Sequence, residues 1–399
     1  MKTLELLNKD VVVLRFRYDE ELHRVDSLLS VQNEPYAPPS LIDASGHASL
    51  RNLVRWWARR SIPASRAQID RLRSALSIDD TAELLEKSLA LSLSDRYWVR
   101  EEGSPLDWAG VNFFDNAFSD DLGVITLDPS SSALGAALAE GDLMNPNSSV
   151  GGDLPKKWVI EDGARYLVKN GIQLFGQDVF NEVVATRLCA RLLPAGDYVP
   201  YELVHGPNEA LCRCPELLGP DEELVTVDDL LRRHVDDPDY GTYLCVRRAL
   251  AETGLAEGEL DEGLAKLFSV DFLMANCDRH TNNFGVIRDV ETLRYKRLAP
   301  IFDTGFSLWC DKRSLRYGFD YDYSPRPFTN TADNPLHQLR LFDSFDWLDA
   351  SALAGWPEEA RGLLEKDELI PPARLDAIQR GISVNVRAFL AHVEQARRR

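Results

Sequence analysis

At 399 residues with 44% hydrophobic content, the chain can bury a large core and form two or three domains, which excludes a disordered polymer. Its 45 basic against 64 acidic residues leave a net charge of −19, which argues against unaided binding to nucleic acid or to anionic membrane surfaces. No apolar run reaches the roughly 18 residues of a membrane span, and the start MKTLELLNKD lacks the apolar core of a signal peptide, so a cytoplasmic protein with no membrane partner is expected.

Residues 1–143 read as a separate module. It offers a strand-like VVVLRF, a Pro-punctuated EPYAPPS, and helical stretches over residues 50–60 and 64–93. Arg51, Arg55, Arg59, Arg60 and Arg66 are expected to form a solvated helix face. The aromatic run over residues 96–118 is expected to pack this module against the next, and the small-residue stretch that follows reads as a linker with one short helix. Cys189, Cys212, Cys214, Cys245, Cys277 and Cys310 lack a disulfide-like framework and are expected to be free thiols. Cys212 and Cys214 with His205 and His234 lack the second close pair of a zinc site.

From Val150 the pattern changes. Trp158-Val159-Ile160 and Tyr166-Leu167-Val168 flank Asp162-Gly163, the signature of a two-residue β-hairpin. A helix over residues 179–193 and a strand over 198–204 follow. The stretch NPNSSVGGDLPKKW before the hairpin is rich in small residues, so backbone amides near Ser148, Ser149, Gly151 and Gly152 can approach phosphate oxygens. Lys169 ends the second strand, where an ammonium would hold nucleotide phosphates, and Glu182 on the next helix would pair with it. An adenine-contacting hinge is expected near residues 212–218.

The richest segment is NCDRHTNNFGVIRDVETLRYKRLAPIFDTG, residues 276–305. A helix over residues 261–275 with Leu264, Leu267, Phe268, Phe272 and Leu273 on one face places Asp278 just past its end. Two apolar runs, 284–287 and 293–301, read as a hairpin that returns the chain and sets Asp303 beside Asn283. Protein kinases use this plan: a catalytic-loop Asp, an Asn five residues on, and a later Asp before a Gly. Asp278 would orient the acceptor hydroxyl, Asn283 and Asp303 would offer Mg²⁺ hard oxygen ligands, and His280 would brace the loop. Asp and Asn also cluster in ordinary turns. A metal-hydrolase reading of Asp278, His280 and Asp303 lacks a second His at ligand spacing.

On the motifs NCDRHTNNFG, LAPIFDTG and RYLVK, the chain from about Ser148 onward resembles the HipA-like kinases, the toxin kinases of bacterial toxin-antitoxin systems and their relatives. The resemblance implies an α+β, two-lobed, protein-kinase-like fold with a mostly helical C-lobe, preceded here by an extra N-terminal α/β module. The implied division is an accessory module at 1–143, an N-lobe at 144–218 and a C-lobe at 219–399. It implies ATP and Mg²⁺ as cofactors, Ser or Thr of a protein such as a translation factor as substrate, an antitoxin as partner, and autophosphorylation of Ser148 or Ser149; that no nucleic acid is bound directly is expected from the net charge alone. A lipid or small-molecule acceptor, and a nucleotide-binding regulator without turnover, are the alternatives.

Overall fold

Asp162 and Gly163 both adopt positive φ, 49° and 81°, so the chain reverses through the turn that the Asp-Gly pair favours. The flanking strands pair in register from Lys156 opposite Lys169 to Glu161 opposite Ala164. A computed structural model describes the chain except residues 64–65, 67–68, 77, 79, 128–142, 150, 152–153, 206–209, 316–322, 324, 329–331, 333, 367–368 and 399. Gly152 and the expected linker helix therefore lie outside the described residues.

In chain order the first elements are β1 (Lys2–Asn8), β2 (Val11–Asp19), β3 (Arg24–Val31), α1 (Leu50–Arg60), α2 (Ile69–Leu76), α3 (Thr81–Lys87), β4 (Tyr97–Glu101), α4 (Trp108–Val111) and α5 (Asp121–Leu127). The hairpin β5 (Lys156–Glu161) and β6 (Ala164–Asn170) leads to α6 (Gln177–Leu192), β7 (Glu202–His205), β8 (Ala210–Pro215), β9 (Glu222–Thr226), α7 (Val227–Leu230) and α8 (Tyr243–Ala251). The chain continues through α9 (Glu257–Met274), β10 (Gly285–Asp289), β11 (Tyr295–Leu298), α10 (Pro335–Leu339), α11 (Trp356–Leu364) and α12 (Pro372–Arg397). These elements fall into two compact units: residues 1–170, 215–236 and 287–294 form the first, and 171–214, 237–286 and 295–399 the second.

In the first unit the sheet order is β3-β2-β1-β4, antiparallel throughout. Leu4, Leu6, Leu14, Phe16 and Tyr18 pack with Leu53, Trp56 and Trp57 of α1 in one buried cluster. Leu7 and Trp98 belong to a second cluster with Trp108, Val111, Phe113 and Trp158 of β5, so the aromatic run joins the opening module to the hairpin. The boundary expected at residue 143 thus falls inside this unit, because Leu143 and Met144 pack into its apolar clusters.

Two local expectations are corrected. The arginine cluster is not one solvated face. Arg51 and Arg59 are exposed, but Arg60 is buried with Nη1 and Nη2 on Asp95 at 2.6 and 2.7 Å, and Arg66 is buried as well. The helical stretch 64–93 resolves into α2 and α3, and it ends where Leu89 and Ala90 take left-handed backbone angles.

The second unit is helical around an aromatic core. Phe268 of α9 stacks on Phe342 at 5.7 Å, and Phe272 meets Phe389 of α12 at 6.3 Å between ring centroids. Residues 267–274 of α9 are buried in succession, so the single apolar face read from the sequence understates its burial on all sides. The strand expected at 198–204 is regular only from Glu202, while Tyr198 makes an isolated parallel bridge with Ile301.

Candidate active site

The loop that carries Asp278 is set by the end of α9. Ala275 turns left-handed at φ 50°, and the Asn276 N–H donates to the Asp271 carbonyl at 2.8 Å. The Asn276 side chain then bridges: Nδ2 donates to Asp271 Oδ1 at 2.8 Å, and Oδ1 accepts the Asp278 N–H at 2.9 Å. Asp271, one acid within the apolar run of α9, is kept by its partner Arg279, whose Nε and Nη2 meet its two oxygens at 2.9 and 3.0 Å.

Arg279 is a hub. Its Nη1 donates to the Asn283 carbonyl at 2.6 Å and the Phe302 carbonyl at 2.5 Å, and its Nη2 donates to Thr304 Oγ1 at 3.0 Å. One buried guanidinium therefore ties α9, the 278–283 loop and the 302–304 turn to common coordinates. A lysine, with a single charged nitrogen, lacks this fork geometry. The sequence reading missed both Asp271 and Arg279. The signal was a lone carboxylate in the apolar run FSVDFLM.

Within that frame Asp278 is partly open, with its side chain 36% exposed. Burial pushes its carboxyl above the ordinary value and the Asp303 charge adds to this, while His280, Arg326 and Arg279 pull it back. Asn283 Nδ2 donates to the Asp278 carbonyl at 3.1 Å, which leaves Oδ1 as the atom able to ligate a cation. His280 accepts the Asn282 N–H at Nδ1 over 3.3 Å, and its backbone N–H donates to the Asp278 carbonyl at 2.7 Å, a bracing arrangement. The Cys277 thiol beside them is pushed up to about 12 by burial first, so it is a protonated, inert neighbour.

Asp303 sits at φ 56° in a turn held by α6. The buried Glu182 carboxylate accepts the Thr304 N–H at 3.0 Å. Asn181 Nδ2 donates to the Gly305 and Ser307 carbonyls at 2.8 and 2.7 Å. A Cβ at Gly305 would stand 2.8 Å from the Asp178 carbonyl and 3.1 Å from Glu182 Cγ, so the turn approaches α6 as only glycine permits. The second unit thus gathers Asp278, His280, Asn283, Asp303 and Glu182. Carboxylate and amide oxygens are the donors that Mg²⁺ takes, so the residues present fit that ion.

The remaining candidates lie in the first unit. Lys169 is 3% exposed at the end of β6, opposite Lys156. Ser148 ends a single tight turn, Pro146–Ser148, that Asn145 opens and Ser149 closes, and both serines are buried. Their hydroxyls donate to carbonyls, Ser148 to Leu143 at 3.0 Å and Ser149 to Leu91 at 2.6 Å. Gly151 is exposed, with open space where a Cβ would stand.

No protein-family model and no curated protein matches the sequence. Solved structures do. HipA of Shewanella oneidensis MR-1, determined as a toxin-antitoxin complex with HipB and its operator DNA, matches with a TM-score of 0.56 at 14% identity, covering 99% of this chain and 99% of that one. The proinflammatory kinase CtkA of Helicobacter pylori matches with a TM-score of 0.45 at 16% identity, over 60% of this chain and 94% of that one. The match along the whole length of the first shows the fold: this chain has an α+β, HipA-like kinase fold.

Proposed function

We propose that this chain is an ATP- and Mg²⁺-dependent phosphotransferase that phosphorylates Ser or Thr hydroxyls of a protein. One observation supports the reading: Arg279 fastens the 278–283 loop, which bears Asp278 and Asn283, to the 302–304 turn, which bears Asp303. Three hard-oxygen side chains held by a buried hub suit phosphoryl transfer, where catalysis is positioning and charge neutralisation.

In this reading Asp278 accepts the proton of the acceptor hydroxyl as its oxygen bonds to the γ-phosphorus and ADP leaves. Asn283 and Asp303 would hold Mg²⁺, which when bound neutralises phosphate charge. Lys169, with Glu182 as its partner, would hold the α and β phosphates, and the loop with Ser148, Ser149, Gly151 and Gly152 would face the nucleotide. Autophosphorylation of Ser148 or Ser149 belongs to the proposal, and it requires the buried turn at 145–149 to open. So do a toxin role and an antitoxin-type partner, which are supported only by the company in which HipA of Shewanella oneidensis was solved. That complex holds DNA, so the comparison lends no support to an expectation that nucleic acid plays no part. Among the described residues, no helix is long and apolar enough to cross a membrane.

The test is the intact mass of the purified chain after incubation with ATP and Mg²⁺, alone and with candidate acceptors, beside Asp278→Asn. The expected result is a gain of one phosphate, roughly 80 Da, on chain or acceptor with wild type only. An equal gain with Asp278→Asn overturns the role of Asp278. Nucleotide binding without ADP formation on any acceptor overturns phosphotransfer in favour of a regulator.

A further inference from the structure

We infer that Arg326 is a positioning residue that gates the acceptor's access to Asp278, a role that rests on the phosphotransfer reading. Its Nη1 donates to Asp278 Oδ1 at 2.9 Å. A hydroxyl acceptor must donate its proton to this same carboxylate, and the guanidinium occupies one of its lone-pair sites and stands in the approach to Oδ1.

The backbone that carries Arg326 is anchored, while its side chain is half-exposed. The Arg326 carbonyl accepts from Nε2 of the buried Gln338 at 3.2 Å. Two residues on, Phe328 is buried edge-on to Tyr243 at 5.6 Å and against Phe268 at 5.5 Å. The backbone is therefore tied to the same aromatic core as α9, from whose end the Asp278 loop departs. The Arg326 side chain itself is 54% exposed. Asp278 also feels His280, Asp303 and Arg279, but Arg279 is committed to Asp271 and the loop carbonyls. Arg326 is thus, among the described residues, a half-exposed cation bonded to Asp278 whose departure would break a single contact to it.

Magnitude decides what kind of gate this is. An ion pair this exposed shifts an equilibrium by about two- to fivefold, and salt weakens it further. Such a contact holds off chance acceptors such as water and yields to an acceptor bound by its own contacts.

The experiment uses the full chain with ATP, Mg²⁺ and water as acceptor, and reads ADP release by wild type, Arg326→Ala and Arg326→Lys. Arg326→Ala is expected to release ADP about two- to fivefold faster at low salt, with the difference closing near 0.5 M salt. Arg326→Lys, which keeps the charge and loses the fork, falls between. An unchanged or slower Arg326→Ala overturns the gate; slower would make Arg326 an aid to transfer. No ADP from any of the three proteins, with water and with the candidate protein acceptors alike, overturns the phosphotransfer reading, and the gate with it.

Discussion

Asp271 and Arg279 form a two-pronged ion pair at 2.9 and 3.0 Å with side chains only 6% and 0% exposed, and the candidate active site is built outward from it. Removing one partner leaves the other as a buried uncompensated charge, which costs about 3–5 kcal/mol. Asp271→Ala and Arg279→Met are therefore each expected to lower unfolding free energy by about that amount in urea titrations. A loss under about 1 kcal/mol would show that the pair is not a keystone of the fold around the site.

Gly305→Ala is expected to cost about 1–3 kcal/mol through overpacking, since the new Cβ would meet a backbone carbonyl at 2.8 Å that has no freedom to yield. Phosphotransfer should fall further than stability, by tenfold or more, because the turn that bears Asp303 shifts and small misplacements are expensive in rate. The control is Gly151→Ala, where a Cβ meets open space and stability should stay within about 0.5 kcal/mol.

Glu182 has one contact in the structure and one role in the proposed function, and a pair of variants separates them. Accepting the Thr304 N–H needs only an oxygen, which glutamine supplies; the proposed pairing with Lys169 would need the charge. Glu182→Gln should keep stability within about 1 kcal/mol yet lose phosphotransfer by tenfold or more, the scale of a charged hydrogen bond. Glu182→Ala should lose both. Full activity in Glu182→Gln would remove the Lys169 pairing.

In the first unit, Glu216 supplies a pH dependence of stability. Burial raises its carboxyl from 4.5 to about 7, with Arg96 and Arg165 opposing, and among the described residues its Oε1 is a buried atom without a hydrogen-bond partner. Because the folded state holds the proton more tightly than the unfolded state, the stability linked to this group is fully present below the unfolded value. It is lost as pH rises through about 7. The loss amounts to about 3 kcal/mol. Denaturant midpoints at pH 4 and pH 8 should show Glu216→Gln matching wild type at the lower pH and exceeding it at the higher. A wild type no weaker at pH 8 than Glu216→Gln would refute the assignment.

What the sequence determined by itself was local. Asp162-Gly163 is legible as a hairpin turn because backbone sterics make few other residues tolerate its angles, and the structure has those angles. The apolar spacing around Leu264, Leu267 and Phe268 marks α9, and the motif NCDRHTNNFG with DTG was enough to expect the HipA-like kinase fold that the full-length match shows. Tertiary structure decided the rest, since it depends on which distant segments share a dielectric interior. That Asp271 is a tolerable core residue follows only once Arg279 is seen to close on it, and that Arg60 and Arg66 are buried follows only from the groups packed over them. The placement of residue 143 inside a unit likewise comes from Leu143 and Met144 joining clusters whose other members lie far along the chain. Turn chemistry acts between neighbours, and a sequence displays neighbours; the screening and pairing of charge act through space, which only the folded chain defines.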